Sequence, residues 1–204
     1  IAVLFCCLFA ANAQTVTFEN EDYNAVGVYD SWEASPFRTG VLTGNAAVVD
    51  NPFKDEINGS DKVLGVQRSR FASNMYGARI DLKETFELTP TTQYVHVMIH
   101  KPGNSRVMLM GLGKRHDRPG QSPEAEQFWE RSNPRYEVQG DEWFDAVFSV
   151  KGNGGIDIYS LVVVVDAVSP HTLTEDFVAY VDDIEVNNSN KSRTATMGDY
   201  PICF

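Results

Sequence analysis

Cysteine is nearly absent from this chain of 204 residues: there are three, Cys6, Cys7 and Cys203. Two of them fall in an opening apolar stretch, so no internal disulfide framework is expected. Stability has to come from a packed core, with a bound metal as the remaining staple. Positive charge is also scarce. Lys and Arg number 17 against 28 Asp and Glu, for a net charge of -11. Nucleic acid and anionic membrane surfaces both call for a basic face, so neither is an expected partner. No apolar run reaches the ~20 residues of a bilayer span, which argues against membrane insertion. Internal repeats, heptads and low-complexity tracts are missing too.

The longest apolar run is at the start, IAVLFCCLFAANA over residues 1–13. It carries no charge and ends in Ala11-Asn12-Ala13, a small-x-small cleavage pattern. It reads as a signal peptide clipped at its start, which predicts a secreted, periplasmic or cell-surface protein. Cys6 follows Phe5 rather than a small residue at the cleavage point, so lipidation is not expected. Hydrophobic residues make up 43% of the chain, enough for a real core.

The periodicity is that of strands. Residues 15–19, 46–50, 62–67, 78–82, 94–100, 106–112, 143–150, 158–165 and 178–186 each read as one, with turn residues between them. Residues 94–100 and 106–112, joined through Pro102-Gly103-Asn104, form the clearest hairpin pattern. On the strand at 143–150, Phe144, Ala146, Phe148 and Val150 share a face. Residues 158–165 are nearly all apolar and predict a central strand covered on both sides. The exception is the insertion at 113–134. Ser122-Pro123-Glu124 resembles an N-cap with Pro at N1 and predicts a two-turn helix over 123–131. The fold class is therefore all-β: a two-sheet jelly-roll β-sandwich with one short helix in an insertion. The domain spans residues 14–188, and 189–204 forms a C-terminal tail.

The last strand carries an anomaly. Val178, Tyr180, Ile184 and Val186 share one parity, and so does Asp182. A carboxylate is thereby aimed at an apolar face, where it needs a partner or a metal. His96 and His100 also share a strand face, but ~13 Å apart by strand rise, too far for one metal.

Several segments together resemble the carbohydrate-binding-module-type jelly roll, the galactose-binding-like β-sandwich of secreted glycan-utilisation proteins. They are Phe18-Glu19-Asn20 followed by Trp32, Ser60-Asp61-Lys62-Val63-Leu64, residues 77–82, and the closing Tyr180-Val181-Asp182-Asp183-Ile184. The resemblance frames nearly all of the chain after residue 13. It implies non-catalytic binding of a polysaccharide. It also implies a structural Ca²⁺ held by Glu19 and Asp182 where the first and last strands meet, a hard cation suited to oxygen ligands.

Glycan binding needs exposed aromatic rings beside polar side chains. Tyr29, Trp32, Tyr76 and Trp129 fall in predicted loops, and Arg115 heads the basic group Arg115-His116-Asp117-Arg118. These are the candidate ligand-binding residues. The alternative is a glycoside hydrolase or polysaccharide lyase using residues 113–134, where Glu124, Glu126 and Glu130 cluster. Neither the Glu-x-Asp-x-x-Glu of jelly-roll glucanases nor Gly-x-Ser-x-Gly is present. A third reading is an adhesin-like surface domain with a protein partner.

Overall fold

The computed structural model describes residues 14–31, 45–135, 140–168 and 173–194. The proposed signal segment, Trp32 and the end of the tail lie outside the described residues. Within them the chain forms eleven strands and no helix. These are β1 (Gln14–Val16), β2 (Tyr23–Asp30), β3 (Ala46–Asp50), β4 (Lys62–Arg68), β5 (Tyr76–Glu87) and β6 (Gln93–His100). There follow β7 (Met108–Arg115), β8 (Ala125–Arg131), β9 (Phe144–Val150), β10 (Ile156–Val164) and β11 (Phe177–Asn187).

The strands make two antiparallel sheets packed face to face. Sheet one runs β3-β4-β11-β6-β9, with β1 also on β11; sheet two runs β2-β5-β10-β7-β8. Alternation builds the core between them. Leu64 and Val66, Val95, Val97 and Ile99, and Phe144, Ala146, Phe148 and Val150 point in from sheet one. Ala78, Ile80, Leu109, Leu161 and Val163 meet them from sheet two. Burying each such large aliphatic or aromatic side chain contributes roughly 1.5–3 kcal/mol. The apolar stretch over 158–165 is central, as its composition predicts. β10 lies between β5 and β7, and its outward Val162 and Val164 are as buried as its inward residues.

Three expectations are corrected. Residues 123–131 form no helix. Ser122 does cap a turn, accepting the Glu124 N–H through its hydroxyl and the Ala125 N–H through its carbonyl. The chain then pairs with β7 as the edge strand β8. Phe128 turns into the core and Trp129 turns out, a period of two that the cap signal concealed. Gly111 permits this pairing: a Cβ there would stand 2.0 Å from the Phe128 ring.

The hairpin of 94–100 with 106–112 is not one. β6 pairs with β9 and β11 in sheet one, whereas β7 pairs with β8 and β10 in sheet two. The turn around Gly103, at φ +72°, carries the chain from one sheet to the other. Turn residues mark a reversal; they do not say whether the flanking strands bond to each other.

The parity of β11 also breaks. Ala179 and Val181 face the core, then Ile184 and Val186 do. Between them the register against β6 shifts, and Asp183 adopts φ 43°. This bulge adds one residue to the strand and swaps its faces. Tyr180 and Asp182 therefore point away from the core, onto the outer face of sheet one.

Candidate functional site

The outer face of sheet two is built from three rows of side chains in register. One runs Tyr29, Gly77, Val164, Met108, Arg131; the next runs Gly27, Arg79, Val162, Met110, Trp129; the third runs Ala25, Asp81, Ser160, Leu112, Glu126. Met108, Met110, Leu112, Val162 and Val164 form a buried apolar floor. Polar and aromatic groups stand around it.

Tyr29 and Glu126 lie on the two edge strands of the sheet, β2 and β8. Four strand spacings separate those edges, ~19 Å on a flat sheet. Yet the Tyr29 hydroxyl donates to Glu126 Oε1 at 2.8 Å. Two side chains cannot span a flat sheet of that width, so the face is concave. Burial first, then the Glu126 bond, push the Tyr29 phenol above its usual range and keep it neutral.

Beneath this tie, Arg79 Nε donates to Asp81 Oδ1 at 2.7 Å, and Nη1 to Glu124 Oε1 at 3.0 Å. The Ser160 hydroxyl donates to the same Asp81 oxygen at 2.7 Å. Burial works against the Arg79 charge, and the bonds to Asp81 and Glu124 outweigh it, holding its pKa above the ordinary value. The guanidinium is thus oriented before any ligand arrives. Trp129, 49% exposed, completes the face. An indole on the same face as a fixed Arg and several carboxylates can stack on the C–H face of a sugar ring while those polar groups donate to and accept from the hydroxyls.

The structure brings Tyr29 and Trp129 onto one face, on strands rather than in loops. Tyr76 is elsewhere. It is fully buried between the sheets under the Arg68 guanidinium, 5.9 Å from its ring centroid, and has no face open to a ligand. Arg115 ends β7 and is held by Asp117 at 2.9 Å. Trp32 lies outside the described residues. Sequence reasoning missed Arg79, Asp81 and Ser160, and took Glu124 and Glu126 for the polar side of a helix. The alternation Arg79-x-Asp81 on an otherwise apolar strand was the available signal.

Glu19 and Asp182 both engage the turn before β4. Glu19 Oε1 accepts the backbone N–H groups of Asp61 and Lys62. Asp182 Oδ2 accepts Asn58 Nδ2 at 2.9 Å, while its Oδ1 is buried without a partner among the described residues. Burial, only partly offset by hydrogen bonds from Ser60 and Asn58, pushes the Asp182 carboxyl up to about 6. Among the described residues no group of three or more His, Cys, Asp or Glu stands at metal-binding spacing. The unpartnered Asp182 oxygen is of the hard type that would suit a hard cation.

No protein-family model and no curated protein matches the chain. Solved structures similar to it are carbohydrate-binding and adhesin β-sandwiches. One, from Clostridium thermocellum, is the family 22 carbohydrate-binding and catalytic modules of endo-1,4-beta-D-xylanase 10B complexed with xylohexaose. It is 14% identical over 85% of this chain and 27% of that one, with a TM-score of 0.48. The chain thus spans about a quarter of that protein's length. A xylan-binding domain of family 22 gives 10% identity over 84% and 98% of the two chains, with a TM-score of 0.42. A cleaved adhesin domain of Lys-gingipain from Porphyromonas gingivalis gives 8% over 87% and 98%, with 0.43. At these values the likeness is one of general architecture, and no residue role is taken from it.

Proposed function

We propose that this chain is an exported, non-catalytic glycan-binding module that takes a neutral polysaccharide along the concave face of sheet two. The observation that carries this reading is the half-exposed Trp129 on the same sheet face as the oriented Arg79–Asp81–Glu124 network. Asp81, Glu124 and Glu126 outnumber Arg79 and Arg131 there, and the whole chain is acidic. Uronate or sulfated polymers would be repelled, so the ligand class is uncharged. Trp129 and Tyr29 provide the ring surface; Arg79, Asp81, Glu124 and Glu126 provide hydroxyl contacts.

Affinity electrophoresis in gels containing xylan, β-glucan, mannan or starch tests this. Retardation by at least one polymer is expected, and Trp129→Ala should weaken it at least tenfold, in line with the loss of one stacked ring. A chain that none of these neutral polymers retards, or a Trp129→Ala variant retarded like the wild type, would overturn the reading.

Ca²⁺ on Glu19 and Asp182 belongs to the same proposal. The ion would neutralise the Asp182 charge and tie the start of the domain to its last strand. The unpartnered Asp182 Oδ1 supports it.

A further inference from the structure

The outer face of sheet one differs from that of sheet two because most of it is capped. The loop at 51–60 folds over His100 and Trp143. The Phe53 ring stacks on His100 at 3.9 Å, and the Trp143 indole N–H donates to the Phe53 carbonyl at 2.7 Å. Residues 189–194 fold over His96 and Asp145 and hydrogen-bond to both side chains. Among the described residues a trough of about 340 Å³ across β3, β4 and β11 stays open.

Its floor is Gly65, in register with Ala47 on one side and Tyr180 on the other. The missing side chain creates the depth: a Cβ would enter the space 3.3 Å from Val49 and 3.7 Å from the Tyr180 ring. Val49, Pro52, Val178 and Tyr180 form the apolar walls. Tyr180 is fixed from behind by the edge-on Phe53 ring at 5.5 Å. On the rim, the Asn45 amide has no hydrogen-bond partner within the described residues. Gln67 uses only Nε2, on Asp176. Asp50 uses Oδ1 on Lys62.

We infer that this trough is a second glycan site, taking one sugar ring of a neutral chain with its apolar face on Tyr180, Val49 and Val178. The inference rests on the glycan-binding reading above. The volume is at the small end of ligand pockets, suited to a ring or two rather than a long polymer. Apolar walls with a held aromatic ring and three unsaturated polar side chains on the rim match a pyranose, which has one C–H face and an equatorial belt of hydroxyls. Charge selects against an acidic sugar. The two nearby lysines are already paired, Lys62 with Asp50 and Lys54 with Asp61. Among the described residues no free cation is left beside the trough to hold a carboxylate or sulfate. Since the trough and the Trp129 face lie on opposite sheets, one molecule would hold two chains at once and gain affinity for dense polysaccharide.

Isothermal titration of the folded chain with xylohexaose, cellohexaose, mannohexaose and laminarihexaose counts the sites. Wild type should bind two equivalents of at least one of them. Trp129→Ala should leave one equivalent, and so should Gly65→Leu, which fills the trough. Combining them should leave none. Since Gly65→Leu can disturb packing, the rim pair Asn45→Ala with Gln67→Ala, placed on the Trp129→Ala background, gives a second reading: at least fivefold weaker binding is expected. One equivalent for wild type, lost in Trp129→Ala and untouched by the Gly65 and rim variants, overturns the trough and leaves the sheet-two site standing. Binding lost in Gly65→Leu yet intact in Trp129→Ala supports the trough and overturns the sheet-two site. No binding by wild type overturns both.

Discussion

His96 is held in a single protonation state by its two neighbours. Nδ1 lies 2.8 Å from Asp145 Oδ2, and Nε2 lies 2.8 Å from the Ser189 carbonyl. Both partners are acceptors, so only the imidazolium, with two donors, satisfies both. Arg193 also donates to Asp145 at 2.8 Å and lies 3.7 Å from Glu185, so the buried His96–Asp145 pair is joined to two charges nearer the surface. Burial opposes the His96 charge, but the Asp145 bond outweighs it and raises the pKa above 6.5. Stability from this group is therefore full below about pH 6.5 and is lost as pH rises through the higher folded value. Urea midpoints measured from pH 5.5 to 9 should fall for wild type relative to His96→Gln. Parallel curves for the two would show that His96 is neutral in the fold. Asp182 poses the acid counterpart. Its folded value of about 6 exceeds the unfolded one, so the folded chain binds more protons in between. Stability falls as pH rises from about 4 to 6, by roughly 3 kcal/mol in all. In EDTA this loss should appear in wild type and be absent in Asp182→Asn, and Ca²⁺ should abolish it in wild type alone. A melt indifferent to both EDTA and Ca²⁺ would sink the metal.

At the scale of elements, most strands were legible, β2 and β8 excepted, and their partners were not. The apolar alternation of residues 94–100 or 143–150 follows directly from burial on one face, so it shows in the sequence. Which sheet a strand joins depends on contacts far along the chain, and no local pattern encodes it; hence the false hairpin of β6 with β7. The bulge in β11 is one extra residue at Asp183, invisible to a parity count, and it sent Tyr180 and Asp182 to the opposite face from that expected. The site suffered for the same reason. Trp129 entered the candidate list as a loop residue, and the structure puts it on the edge strand β8. Arg79, on the same face, sits some fifty residues away in the sequence with two strands between. The tightness of β8 against β7 yields a sharp expectation. Gly111→Ala must push Phe128 aside, because its Cβ would lie 2.0 Å from that ring. A loss of about 1–3 kcal/mol is expected from such overpacking. Urea denaturation measures it, and Trp129 fluorescence should report a changed setting in the folded variant. Unchanged stability would mean that β8 is free to shift.

The whole molecule stands on its apolar core. Among the described residues there is no cysteine, so no disulfide links the two sheets there. Domain stabilities are typically about 5–15 kcal/mol. Phe148, fully buried between the sheets, should cost roughly 3–5 kcal/mol when cut to alanine. A guanidinium titration should therefore find Phe148→Ala close to unfolding at 37 °C in the absence of any metal. A loss under 1 kcal/mol would mean the sheets close readily over the void. Composition foretold this dependence, because a chain so poor in cysteine has few other means of staying folded.

The bond between Tyr29 and Glu126 has a mechanical meaning. It joins the two margins of a five-stranded sheet, so it acts as a bowstring and the sheet as the bow. The contact ties the two margins of the face together across the strands in the middle. In the glycan-binding reading, a sugar hydroxyl that competes for Glu126 would loosen this tie.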